Sequence, residues 1–118
     1  MTEPVFDSDG YPTDDTLNHI MANGYDGAIF AFAEKAYNKH CGSWELIKNY
    51  SFGLLYPEKP YTALKITTGG WSGNEAIINA LSGGYAWGYA WEASYKGGLY
   101  ILNYNKINYA IIDHIRSE

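Results

Sequence analysis

Thr67-Thr68-Gly69-Gly70-Trp71-Ser72-Gly73-Asn74-Glu75 is the stretch on which the fold turns. Just upstream, Tyr61 to Thr68 alternates, Leu64 and Ile66 facing one way and Lys65 and Thr67 the other, which is the period of a half-buried strand. Just downstream, Ile77, Ile78 and Leu81 recur at helical spacing from about Gly73 or Asn74, and Ser82-Gly83-Gly84 closes the run. Glycines between a strand and a helix let the backbone approach a bound group closely, and a helix start leaves N–H donors free. The geometry suits an anion or a polar ligand. The motif lacks the Gly-Lys-Ser/Thr ending of a Walker A loop, and GGWSG is not the GxGxxG dinucleotide fingerprint.

Beyond this helix, two aromatic runs, about Tyr85 to Ser94 and Leu99 to Tyr104, read as strands joined at Tyr95-Lys96-Gly97-Gly98, a hairpin turn whose glycines accept positive φ. On the other side of the motif, Ser43 to Tyr61 gives conflicting signals: Trp44, Leu46 and Ile47 fit a short helix or strand, while Gly53, Pro57 and Pro60 break regular structure. A helix is predicted where Ile29, Phe32, Ala33, Ala36 and Tyr37 fall on one face, with Asp26 at its start, Lys35, Lys39 and His40 near its end, and Cys41-Gly42 stopping it. An earlier helix starts at a Thr13 cap with Asp14 and Asp15 in its first turn, carries Leu17, Ile20 and Met21, and ends at Asn23-Gly24. Residues 1–12 read as an acidic extended arm. From Lys106 to Glu118, Ile107, Ala110, Ile111 and Ile115 share one face of a last short helix. The expectation is a single α+β domain over residues 13–118, a small antiparallel sheet packed with three to four helices.

The chain of 118 residues is one domain's worth, with 47% hydrophobic residues and a high 17% aromatic content that includes 12 Tyr and 4 Trp. Such a surplus either fills a Gly-rich core or forms a recognition surface. Of the net charge of -5, the first 26 residues supply the whole excess, with six acids and no Lys or Arg; the rest has seven acids and eight bases. A basic nucleic-acid footprint is missing, which argues against duplex DNA or RNA as a partner. The acidic lead reads as a solvated arm or as an imitation of phosphates for a basic protein. One cysteine, Cys41, precludes an internal disulfide and fits a reducing compartment, and no apolar run approaches the roughly 20 residues that span a bilayer. A cytosolic location follows as the expectation, with no membrane contact.

The glycine-tryptophan motif with Ile77-Ile78 and Ala80-Leu81 behind it, then Trp87, Trp91 and Ser94, then Lys96-Gly97-Gly98 and Tyr100, resembles a family of small bacteriophage and prophage proteins over roughly residues 14–104. The resemblance implies a phage origin and, with it, the host cytoplasm; the family has no assigned activity to carry over. Its members tend to bear two arginines and a histidine around the hairpin glycines, whereas Tyr95-Lys96 and Leu99 stand here. A role needing bidentate guanidinium recognition of phosphate therefore does not transfer, because lysine offers only a point charge.

The candidate site gathers Thr68, Gly69, Gly70, Trp71, Ser72, Gly73 and Asn74, with Trp71 stacking a base and Lys96 neutralising a phosphate. The same loop also reads as a tight turn in which Trp71 packs on the sheet and Ser72 or Asn74 caps the helix, Ser72 closing a capping box with Glu75. Trp87, Tyr89 and Trp91, alternating along one strand, would share a face as a stacking platform or as core. Glu75 and Glu92 are the acids nearest the motif and the pair available for acid–base work in a small enzyme. His19, His40, His114 and Cys41 are too scattered for a metal site, and Ser72 lacks a nucleophile elbow; no metal, cofactor or catalytic residue is predicted. Three functions follow: a non-enzymatic binder of a nucleotide-like small molecule, an inhibitor of a host defence nuclease acting through its acidic or aromatic surface, and the small enzyme. For a binder this small, a pocket-sharing homodimer or a higher homo-oligomer is the expectation.

Overall fold

A computed structural model describes residues 1–51 and 59–112. The predicted strand after residue 60 is β2 (Tyr61–Thr67), and it is central. It pairs on one side with β1 (Ser43–Tyr50) and on the other with β4 (Leu99–Asn103), which in turn pairs with β3 (Trp91–Tyr95). All three pairings are antiparallel, in the order β1-β2-β4-β3. Leu64, Ile66 and Leu102 point from the sheet into a core shared with the helices, among them Ile20, Phe30, Ile77, Leu81 and Trp87. On the opposite face Tyr61, Ala63, Ala93 and Ile101 form a second, smaller cluster. The fold class is α+β, with five helices among the described residues, and none of them is long and apolar enough to cross a membrane.

Helix α1 (Asp14–Ala22) begins as predicted, with the Thr13 hydroxyl accepting from the Thr16 N–H at 3.3 Å. Helix α2 (Ile29–Ala36) is shorter than its apolar face suggests. The chain turns extended at Tyr37, whose hydroxyl donates to the Thr67 carbonyl at 2.7 Å, so Lys39 and His40 lie beyond the helix. The conflicting Ser43 stretch resolves as the edge strand β1, with a register shift where Asn49 takes a positive φ of 56°. Gly53, Pro57, His114 and Ile115 lie outside the described residues.

The largest correction concerns Tyr85 to Ser94. Tyr85–Ala90 is helix α4, and the strand starts only at Trp91. Ala86, Trp87 and Ala90 are the buried residues of α4, a helical 3–4 spacing hidden under an alternation of aromatics. Trp87 is 6% exposed in the core and Trp91 is 47% exposed, so the two do not form one ladder with Tyr89. Helix α3 (Ser72–Ser82) starts at the serine expected to cap it, and neither a Ser72 cap nor the capping box with Glu75 forms, since no side chain caps this helix. Helix α5 (Tyr104–Tyr109) opens earlier than the predicted tail helix, with the Asn103 side chain accepting from the Lys106 N–H at 3.2 Å.

Residues 1–12 do not extend away from the body. They turn back on themselves, with Phe6 bridging to Pro12 and the Thr13 N–H donating to the Val5 carbonyl at 3.0 Å. The buried Thr16 hydroxyl pins this arm twice, accepting from the Val5 N–H at 2.9 Å and donating to its carbonyl at 3.0 Å. At the tip, one Asp7 carboxylate oxygen accepts from the N–H groups of Asp9 and Tyr11, which fixes the turn.

Candidate functional site

The glycine-tryptophan loop is a junction of three chain segments. Asn74, fully buried in the first turn of α3, accepts from the Asn38 N–H at 2.8 Å and donates to the carbonyls of Asn38 at 3.0 Å and Thr68 at 3.3 Å. Thr68 donates its N–H to the Gly98 carbonyl at 3.0 Å, which docks the β3–β4 hairpin on the loop. Gly69 holds a φ of 66° with its Cα against the Cys41 carbonyl, a contact that any side chain would obstruct. Thr68, Gly69 and Asn74 are thereby committed to structure. The Trp71 ring lies against Gly73, where a Cβ would strike it.

What stacks on Trp71 is Tyr11, from the arm. The two ring centroids are 4.9 Å apart at an interplanar angle of 29°, and Ser72 Oγ is 3.5 Å from the Tyr11 hydroxyl. Gly70 and Ser72 are exposed at the mouth of this junction. Lys96 is exposed on the hairpin turn, where Gly97 and Gly98 supply the positive φ values of 98° and 83°. Trp87 and Trp91 are not brought to the loop: Trp87 stacks on Phe30 beneath the helices, and Trp91 pairs with Leu102 toward the far end of β3 from Gly98. Glu75 stands exposed in the first turn of α3 and Glu92 at the bulge of β3, on separate elements.

Between the arm and the chain leaving α2 lies a cavity of about 500 Å³ that sequence reasoning missed. Phe6 and Gly10 form its arm side, and residues 34–40 form the other. Both walls run directly into the loop, Gly10 through Tyr11 to Trp71 and Asn38 through its bonds to Asn74. Lys35, Lys39 and His40 line it together with one acid, Glu34, so the cleft presents two ammonium groups and an imidazole. Lys35 pairs with Glu3 at 3.1 Å and Lys39 with Glu34 at 2.6 Å, and both pairs are exposed. Exposed pairs of this kind contribute about 0–1 kcal/mol, so an incoming anion can replace a carboxylate at little cost. The signal was present in the sequence as three basic residues within six positions, but it reads equally as the dipole-favoured end of a helix.

Tyr37 closes the inner wall. Burial, reinforced by Tyr100 and Glu75, pushes its phenol well above the ordinary tyrosine value, so it remains a hydrogen-bond donor to Thr67 and is not an available base. Among the described residues no group of three or more His, Cys, Asp or Glu side chains gathers to hold a metal ion. No known protein family, curated protein or solved structure matches the chain.

Proposed function

We propose that this chain is a non-enzymatic, phage-encoded binding protein that sequesters a nucleotide-like small molecule in the host cytoplasm as a counter-defence. The observation that carries the reading is the cleft of about 500 Å³ with Lys35, Lys39 and His40 on one wall and the Tyr11–Trp71 stack at its edge. Its size falls within the range of small-molecule pockets, roughly 300–1,000 Å³. Cations for a phosphate and aromatic rings for a base are the two chemistries a nucleotide requires. The ligand would sit between the arm and the chain leaving α2, with Phe6 covering it and Lys39 on its charged end.

The test is native mass spectrometry of the purified chain, before and after incubation with cyclic nucleotides and ADP-ribose derivatives. A stoichiometric adduct is expected, weakened about tenfold or more by Lys39→Glu, which alters only an exposed side chain, and by Trp71→Ala. A protein that stays ligand-free throughout the panel overturns the reading. The alternative, an inhibitor of a host defence nuclease, draws support from the rigid acidic turn around Asp7 and Asp9. Inhibition that weakens with salt and survives Lys39→Glu would favour it.

A further inference from the structure

Around the start of α2, at the end opposite the one that lines the cleft, backbone contacts gather a set of exposed rings. Gly24 and Gly84 pack backbone against backbone, with the Gly24 carbonyl accepting from the Ala86 N–H at 2.9 Å, and so Tyr25 and Tyr85 emerge at one corner. Tyr85 stacks on Tyr89, centroids 5.9 Å apart and nearly parallel at 7°. The Lys106 ammonium lies 5.7 Å from the Tyr89 ring centre, and Tyr109 follows Lys106 by one turn of α5. Trp91 pairs with Leu102 just before α5 begins, its indole N–H fixed on Ser94 Oγ at 2.7 Å. The 24–27 turn is tied to the end of α5, the Gly27 N–H donating to the Ala110 carbonyl and the Ile112 N–H to Asp26 Oδ1.

We infer that this α4–α5 face is the surface through which two copies of the chain associate about a two-fold axis. Area is the first argument. The five rings Tyr25, Tyr85, Tyr89, Trp91 and Tyr109 keep 41–77% of their surface exposed. At about 150–250 Å² a ring, they leave roughly 500 Å² of aromatic surface. Ile111, Ile112 and Met21, also exposed, extend it toward the about 800 Å² per partner that a standard interface buries. The rings alone reach the upper part of the roughly 300–600 Å² that the largest apolar patch of a monomer covers, and such patches are commonly functional.

Charge is the second. Two copies of net charge -5 repel unless they meet where the acids are not. Here the charges beside the rings are few: Asp26 accepts from the N–H groups of Ala28 and Ile112, Glu92 follows Trp91 in β3, and Lys106 over the Tyr89 ring carries the opposite sign. The acids of the arm and of the first turn of α1 lie beyond the opposite end of that nine-residue helix, about 13 Å from Met21's end at 1.5 Å per residue. A two-fold contact sets rings against rings, the residue types that dominate interface energetics.

Sedimentation velocity of the full chain over a dilution series tests this. The expected species is a dimer of the 13.2 kDa chain, and Tyr85→Asp and Tyr109→Asp, both at strongly exposed positions, should each raise the dissociation constant at least about tenfold without changing the circular dichroism spectrum. Lys39→Glu, in the cleft, should leave the dimer intact, and Tyr109→Asp should leave nucleotide uptake intact, so each idea fails on its own variant. A monomer at every concentration, a dimer indifferent to both tyrosine changes, or a monomer whose face is taken by a foreign protein overturns the inference.

Discussion

Asn74 joins segments 36 residues apart in sequence, meeting the Asn38 N–H and carbonyl and the Thr68 carbonyl from a fully buried position. Asn74→Ala removes all three bonds at once, and buried groups left without partners cost about 1–3 kcal/mol. The expected loss is about 2–3 kcal/mol of unfolding free energy in a urea titration with little change in its slope. A loss below about 0.5 kcal/mol, the scatter of surface substitutions, would contradict that role. Tyr37 makes a different kind of prediction. In the unfolded chain its phenol ionises near pH 10, while burial and the neighbouring Tyr100 and Glu75 hold it protonated to higher pH in the folded one. Above about pH 10 the folded state therefore binds more protons, and stability falls as pH rises; below that the group contributes no slope. Tyr37→Phe should flatten this alkaline limb. Equal slopes for the two proteins between neutral pH and about pH 11 would contradict the assignment.

The arm depends on Thr16 in the way a strap depends on its buckle. Thr16→Val keeps the shape but removes both bonds to Val5, at an expected cost of about 1–2 kcal/mol. The residues held by them should then be cut several-fold faster in limited proteolysis followed by mass spectrometry, and unchanged protection of residues 1–12 would show that the Tyr11–Trp71 stack suffices alone. At this scale the sequence was readable where neighbours decide the structure: the strand before the glycines, the helix after them, the Lys96-Gly97-Gly98 turn and the Thr13 cap. It misled at α4, because rings at 85, 87, 89 and 91 alternate like a strand while burial selects Ala86, Trp87 and Ala90. It was silent at β1, an edge strand whose Leu46 stays half-exposed and so gives no clean alternation. The loop residues were legible as a cluster, but their tie to Asn38 and the stack with Tyr11 are long-range, and the cleft between arm and α2 exists only through them.

Across the whole molecule the two functions proposed lie at the two ends of α2, whose start is tied through Gly27 to Ala110 beside the aromatic face and whose end runs into the wall of the cleft. The acids of the arm are held close to the body by Thr16 and by the Lys35–Glu3 pair, so the charge excess is carried on a folded feature and not on a free tail. The strand order has a further meaning for how the chain reaches this state. β1 with β2 and β3 with β4 are hairpins between consecutive strands, whereas β2 and β4 meet across all of α3 and α4. Each hairpin closes a modest loop, but the seam between them closes a long one and collects its reward only when Leu64 and Leu102 finally lie side by side. The tempo of folding is thus set in the middle of the sheet, and a nascent chain emerging from synthesis must wait for its fourth strand before the first two are locked.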